Sequence, residues 1–270
     1  MPDPLGSLAF TWPFFAVFVI AYLIGSIPFG VILVRLSGRG DIRKIGSGNI
    51  GATNVLRSGS GVLAAATLVL DGAKGAAPVI LANAYLTQDF AVVAGAGALL
   101  GHLLPLWLKL GSLRDMAFAV AVLAYLVVVV GLLLVGKGVV TPIAILLFAA
   151  SPLIAWGGKG VATGLGVLLA LEPAVGALAC LTWIAVAAVL RYSSLAALAA
   201  FLGAPVFAFI LSNAAIADRY LSDPQRVEFA VFVAIAIYLR HLGNIRRLLR
   251  GDEPRIGATK GAAAATPSER

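Results

Sequence analysis

The chain is poor in most of what a soluble enzyme uses for chemistry. Its 270 residues include one cysteine, Cys180, and two histidines, His102 and His241. A lone cysteine excludes an internal disulfide, and its apolar surroundings argue against a thiolate metal centre; it reads as a small buried or lipid-facing side chain. No His, Cys, Asp or Glu cluster has metal-ligand spacing, so neither a metal nor any other cofactor is implied. Charged residues make up only 12% of the chain, roughly half the fraction of an ordinary soluble domain. Aromatic and basic residues do not interleave, which argues against nucleic acid as a partner.

In place of charge there is apolar bulk: 61% of residues are hydrophobic, with a mean hydropathy of +1.01. That composition specifies an all-α polytopic membrane protein. Apolar runs fall at Pro13–Leu36, Val62–Leu86, Phe90–Leu108, Met116–Val135, Val139–Trp156, Ala174–Leu190, Leu195–Leu211 and Phe229–Leu239, with a short pass at Gly164–Leu171. The first is too long for a signal-peptide core and is taken as a span. Gly25–Gly30 (G-S-I-P-F-G) predicts a kink or close helix packing within it. Met116–Trp156, interrupted by Gly136-Lys137-Gly138, is expected to leave and return to the same side as a two-helix hairpin. Residues 1–257 read as one membrane domain, and 258–270 as a disordered cytoplasmic tail.

Three polar stretches interrupt this pattern. Ile45–Arg57 (I-G-S-G-N-I-G-A-T-N-V-L-R) combines three glycines with Ser47, Asn49, Thr53, Asn54 and Arg57. Backbone N–H groups, hydroxyls and a guanidinium are the parts of a phosphate cradle. Gly157–Gly166 (G-G-K-G-V-A-T-G-L-G) offers glycines, Lys159 and Thr163, but lacks the spacing of a Walker A loop. Arg240–Arg250 (R-H-L-G-N-I-R-R-L-L-R) reads largely as a basic headgroup anchor, while His241 and Asn244, at i and i+3, share a helical face. With the N-terminus outside and the C-terminus cytoplasmic, the crossings bring all three stretches and Arg191–Ser194 to the inner face. The same assignment puts 16 of the 20 basic side chains inside, as the positive-inside rule requires. Asp71 and Lys74, three apart within a span, either neutralise one another or meet substrate.

At these residues the chain resembles the bacterial acyl-phosphate:glycerol-3-phosphate acyltransferase family. The resemblance rests on G-S-I-P-F-G, D-I-R-K-I-G-S-G-N-I-G-A-T-N-V-L-R, L-D-x-x-K-G, G-H-x-x-P-x-W-L-K, G-G-K-G-V-A-T, R-Y-x-S-L, H-x-x-N-I and E-P-R-I-G (Glu253–Gly257), in that order. It implies a seven-helix bundle, here with a two-helix hairpin inserted at 111–156, in the bacterial inner membrane with its site facing the cytoplasm. It also implies acyl transfer from an acyl-phosphate to the 1-hydroxyl of sn-glycerol 3-phosphate, giving lysophosphatidic acid and phosphate. Ser47, Asn49, Arg57, His241 and Asn244 are then the expected catalytic groups. Gly48, Thr53, Asn54, Gly157, Gly158, Lys159, Gly160 and Ser194 are the expected substrate-binding groups, with Gly157–Gly160 as the loop for the glycerol 3-phosphate phosphate. The family pattern runs almost directly from W-L-K-F into K-G-G-K-G, so the segment 111–156 raises the alternative of an inactive relative. An anion transporter is the other alternative, with polar sites at mid-membrane. A CDP-alcohol phosphotransferase is opposed by the lack of a D-x-x-x-D after Asp71-Gly72.

The chemistry asks little of the protein. An acyl-phosphate carbonyl is already activated, so holding two anions together matters most, and Arg57 and Lys159 are the cations available. Positioning can lower the barrier by about 7 kcal/mol or more, and a donor from Ser47, Asn49 or Asn244 to the oxyanion by roughly 3 kcal/mol. No H-x-x-x-x-D pattern is present: five residues beyond His102 is Trp107, and five beyond His241 is Arg246. A substrate phosphate oxygen is therefore the expected proton acceptor, with His241 orienting.

Overall fold

The computed structural model describes residues 8–135, 147, 150–213 and 224–257. The helices are α1 (Leu8–Gly25), α2 (Phe29–Leu36), α3 (Ala52–Arg57), α4 (Gly61–Tyr85), α5 (Gln88–Leu103), α6 (Leu113–Val135), α7 (Val161–Leu171), α8 (Pro173–Leu190), α9 (Ser193–Asn213), α10 (Pro224–Arg240) and α11 (Leu242–Arg250). No strand occurs among the described residues. Among the described residues six spans, with α1–α2 counted as one, are long and apolar enough to cross a membrane. The pair α10–α11, bent by 61°, makes up to a seventh. The outer faces carry exposed Val62, Leu181 and Val189, as contact with lipid requires.

The expected kink is at Ser26-Ile27-Pro28, where Pro28 cannot continue the α1 hydrogen-bond ladder. The carbonyl of Ile27 at this break accepts from Lys74 Nζ at 2.7 Å, and Lys74 also pairs with Asp71 at 2.7 Å. Of the two readings of this buried pair, the structure displays neutralisation joined to a helix-break cap. Helix α1 packs along α5 backbone to backbone. A Cβ at Gly25 would strike the carbonyl of Ala98, and one at Gly101 the carbonyl of Tyr22. The main core continues through Leu99, Leu103, Val167, Phe201 and Val233, drawn from four helices.

Helix α7, with 11 residues, is about 16 Å long, too short to span. Its far end is pinned, because Glu172 pairs with Arg226 and Arg226 Nη2 donates to Gln88 Oε1 at 2.9 Å. Its N-terminus therefore reaches only to the level of Leu99 and Leu103, and Gly157–Gly160 lies recessed within the bundle. The first arm of the expected hairpin is α6, whose Val122, Leu126 and Val130 join the main core. Most of the second arm, Val139–Trp156, and the tail 258–270 lie outside the described residues. At the end of the segment, Gly157 N donates to Leu103 O at 2.8 Å, and Trp156 Nε1 to Pro105 O at 3.1 Å. The chain comes back beside the point it left.

Candidate active site

The first polar stretch folds around one buried amide. Asn54 donates through Nδ2 to the carbonyls of Ile42, Ile45 and Asn49, at 3.1, 2.9 and 2.8 Å, and its Oδ1 accepts from Ser47 N at 3.1 Å. Gly46 and Gly48 adopt φ +56 and +70, a region that side-chain-bearing residues resist, and so allow the chain to wrap this amide. Asn54 was expected to bind substrate; its hydrogen bonds are instead spent on the loop. The loop in turn displays Ser47, Thr53 and Arg57 on its exposed side. Thr53 Oγ1 lies 3.1 Å from Ser193 Oγ, joining the first stretch to Arg191–Ser194. Asn49 Oδ1 is buried without a hydrogen-bond partner. At the base of the loop, Asp41 accepts from Arg43 and Arg35, and these bonds, Arg43 foremost, hold its carboxyl well below the usual carboxylate range.

The second stretch is held from both sides. Gly157 N and Gly158 N donate to the carbonyls of Leu103 and His102. From the other side, the Arg240 guanidinium donates to the carbonyls of Ala155, Gly157 and Gly158 at 3.0, 3.2 and 3.3 Å. The expected use of the Gly157 and Gly158 N–H groups as a phosphate cradle is thus corrected: both are already taken. Gly158 must be glycine because the His102 ring packs against it, and a Cβ there would collide with Nε2. The ring is set by Thr163, whose Oγ1 donates to Asp71 O at 2.9 Å and contacts His102 Nδ1 at 3.0 Å. Gly160, at φ +79, caps the start of α7. The first-turn N–H groups of α7 lack helical partners and point out of the N-terminal end of the helix, which Lys159 precedes by two positions.

Lys159 itself joins the third stretch. Its Nζ donates to Asn244 Oδ1 at 2.6 Å, and Asn244 Nδ2 donates to Glu253 Oε1 at 2.7 Å. Glu253 also accepts from Ser194 Oγ at 2.6 Å and from Arg247 Nε at 2.8 Å. These bonds hold Glu253 below the ordinary carboxylate pKa, against the opposing effect of its burial. Burial lowers the Lys159 pKa to about 8; Glu253 opposes this, and Arg247, Arg57 and Arg240 add to it. Arg57 is therefore within electrostatic reach of Lys159. His241 is buried and its Nδ1 lies 2.8 Å from Ile237 O. A carbonyl only accepts, so Nδ1 carries the hydrogen and Nε2 presents a lone pair.

Sequence reasoning missed Glu253 and Arg240 as site-builders. Glu253 lies in the E-P-R-I-G motif, which by itself implies no role for it, and Arg240 lies in the basic run that reads largely as a headgroup anchor. All four polar segments nevertheless converge at one end of the bundle.

Comparison with known proteins bears on the family and the fold. The family model described as "Glycerol-3-phosphate acyltransferase" matches residues 15–156 and 149–251. A glycerol-3-phosphate acyltransferase of Jannaschia sp. (strain CCS1) is 42% identical over 241 residues, covering 89% of this chain and 92% of the relative. That of Rhodospirillum rubrum is 43% identical over 250 residues, covering 90% of each. Among solved structures, PlsY (YgiH), an integral membrane glycerol 3-phosphate acyltransferase, superposes in its glycerol 3-phosphate form with a TM-score of 0.67. The identity is 29%, over 91% of this chain and 96% of that one. Its lysophosphatidic acid form gives a TM-score of 0.65 at the same identity and coverage. Through its family model, its relatives and its fold, the chain belongs to the glycerol-3-phosphate acyltransferase family.

Proposed function

We propose that the protein transfers an acyl group from an acyl-phosphate to the 1-hydroxyl of sn-glycerol 3-phosphate, giving lysophosphatidic acid and phosphate. It does so at the cytoplasmic face of a bacterial inner membrane, with its N-terminus outside. The observation that carries this reading is the chain Lys159–Asn244–Glu253–Ser194, with Arg57 close enough to depress the Lys159 pKa. Lys159 and Arg57 belong to distant stretches that this chain and the Thr53–Ser193 contact join, and two mutually repelling phosphates need such cations.

The sn-1 oxygen attacks the acyl carbonyl, and the tetrahedral intermediate collapses with phosphate as the leaving group. Lys159 and the free first turn of α7 hold the glycerol 3-phosphate phosphate, and Arg57 the acyl-phosphate. Ser47 is exposed and its hydroxyl makes no hydrogen bond among the described residues, which leaves that hydroxyl for the oxyanion. The unpartnered atom of Asn49 is an acceptor, so Asn49 suits a substrate hydroxyl better than the oxyanion. His241 lacks the carboxylate partner of a triad base, because its Nδ1–H is spent on a backbone carbonyl. Nε2 then orients the attacking hydroxyl while a phosphate oxygen of the substrate takes its proton. Mid-membrane transport is not favoured, since the polar groups lie at helix ends, and Gly157 and Gly158 are seated against α5 despite the 46 residues between Lys109 and Trp156.

The test is purified protein in detergent, given acyl-phosphate and glycerol 3-phosphate. Phosphate release that requires both substrates, survives in His241→Ala and vanishes in Arg57→Ala is expected. Absence of turnover by the unaltered protein, or a pH profile set by one imidazole and abolished in His241→Ala, would overturn the scheme.

A further inference from the structure

The return of the chain at Trp156 raises a physical question. Between Lys109 and Trp156 run 46 residues, so covalent connection holds the two ends together only weakly. Contacts must do what a short link would otherwise do. Arg240 and the α5 carbonyls fix Gly157 and Gly158, as described above. The preceding residue is fixed differently, by a cluster that has no part in the chemistry.

Lys109 Nζ lies 5.6 Å from the centre of the Trp156 ring and 5.8 Å from that of Phe118, and those rings are 5.4 Å apart. Asp115 accepts from the same ammonium at 2.8 Å and is itself held by Ser112 Oγ at 2.8 Å. Three segments meet here: Lys109 follows α5, Phe118 and Asp115 belong to the start of α6, and Trp156 leads into the Lys159 loop. An ammonium against two aromatic faces is attracted to both, and Asp115 fixes where it sits. Trp156 is then held by the ammonium over its ring, by the tilted Phe118 ring and at its N–H.

We infer that Phe118 is a positioning residue for Lys159, and that through it the helix α6 sets where the glycerol 3-phosphate phosphate binds. This rests on the proposed function above. Phe118 is half-exposed and anchors no core, so truncating it loosens Trp156 without emptying the bundle.

The experiment compares Phe118→Ala, Phe118→Trp and, as a control on the lipid-facing side of α6, Val128→Ala. Phe118→Ala should raise KM for glycerol 3-phosphate about threefold to tenfold, the size expected for loss of a half-exposed cation–aromatic contact. KM for acyl-phosphate and kcat should stay within about twofold, and Phe118→Trp should restore the unaltered value. Hydrogen exchange at the amides of 156–160 should quicken in Phe118→Ala alone, a readout that needs no substrate. Unchanged exchange in Phe118→Ala overturns the inference, as does a rise in both KM values together with a lowered melting temperature. If the unaltered protein turns over nothing while exchange still responds, the proposed function fails and the clamp stands.

Discussion

Removal of Glu253 should disable the site while leaving the bundle standing. In Glu253→Ala the Ser194 hydroxyl and the Asn244 amide lose a buried charged acceptor. Each such bond is worth about 1.5–3 kcal/mol. The half-exposed Arg247 partner adds no more than about 1 kcal/mol, and since the bonds share one carboxylate, a total of roughly 3–4 kcal/mol is expected. Asn244 would then no longer be held against Lys159, and a displacement of about 1 Å there should lower kcat/KM for glycerol 3-phosphate about 100-fold. Glu253→Gln separates charge from shape. Its amide oxygen still accepts from Ser194 and Asn244, but the group that raises the Lys159 pKa is gone. Its kcat/KM profile should therefore fall away at lower pH than in the unaltered protein, with folding nearly intact. The assay is initial-rate phosphate release between pH 6 and 10, beside thermal unfolding in detergent. An unshifted profile in Glu253→Gln, or unimpaired kcat/KM in Glu253→Ala, would refute the reasoning.

In the free enzyme Lys159 is charged below its pKa of about 8 and neutral above it, so kcat/KM for glycerol 3-phosphate should fall by up to about tenfold per pH unit beyond that point. Bound phosphate favours the charged form, so the same fall in kcat should come at higher pH, and Lys159→Arg should flatten both between pH 7 and 10. Asn54→Ala strips four hydrogen bonds from the first loop and should cost about 2–4 kcal/mol by thermal unfolding, with loss of activity. Gly158→Ala drives a methyl into the His102 ring and should cost more than about 100-fold in kcat/KM; near-normal activity would show that the loop is looser than described.

Much of the architecture is legible in the chain itself. Long apolar runs place α4, α8 and α9 to within a few residues, because lipid tolerates backbone polar groups only inside helices. Pro28 announces the break between α1 and α2. Counting crossings and basic residues leads one to expect the gathering of the polar stretches, although that count takes Gly164–Leu171 as a pass and α7 is too short to span. What is hidden is the use to which each donor is put. Asn54 and the N–H groups of Gly157 and Gly158 look like ligand groups, and only the fold reveals that other backbone has claimed them. Arg240 looks like an anchor for headgroups but turns inward to three carbonyls. Glu253 lies beyond the last long helix, where nothing local predicts that it will meet Ser194, 59 positions earlier.

The strap that carries Glu253 bears on how the protein is made. Ile256 N donates to Arg191 O at 2.6 Å, and Arg191 Nη2 returns a bond to Ile256 O at 3.0 Å, folding the last described residues back beneath α9. A nascent chain entering the bilayer helix by helix would complete every crossing before this piece leaves the ribosome. Until then Asn244 and Ser194 have no common carboxylate. Translation stopped at Gly251 would yield a bundle in which Ser194 and Asn244 share no carboxylate, so competence waits until Glu253 has been added.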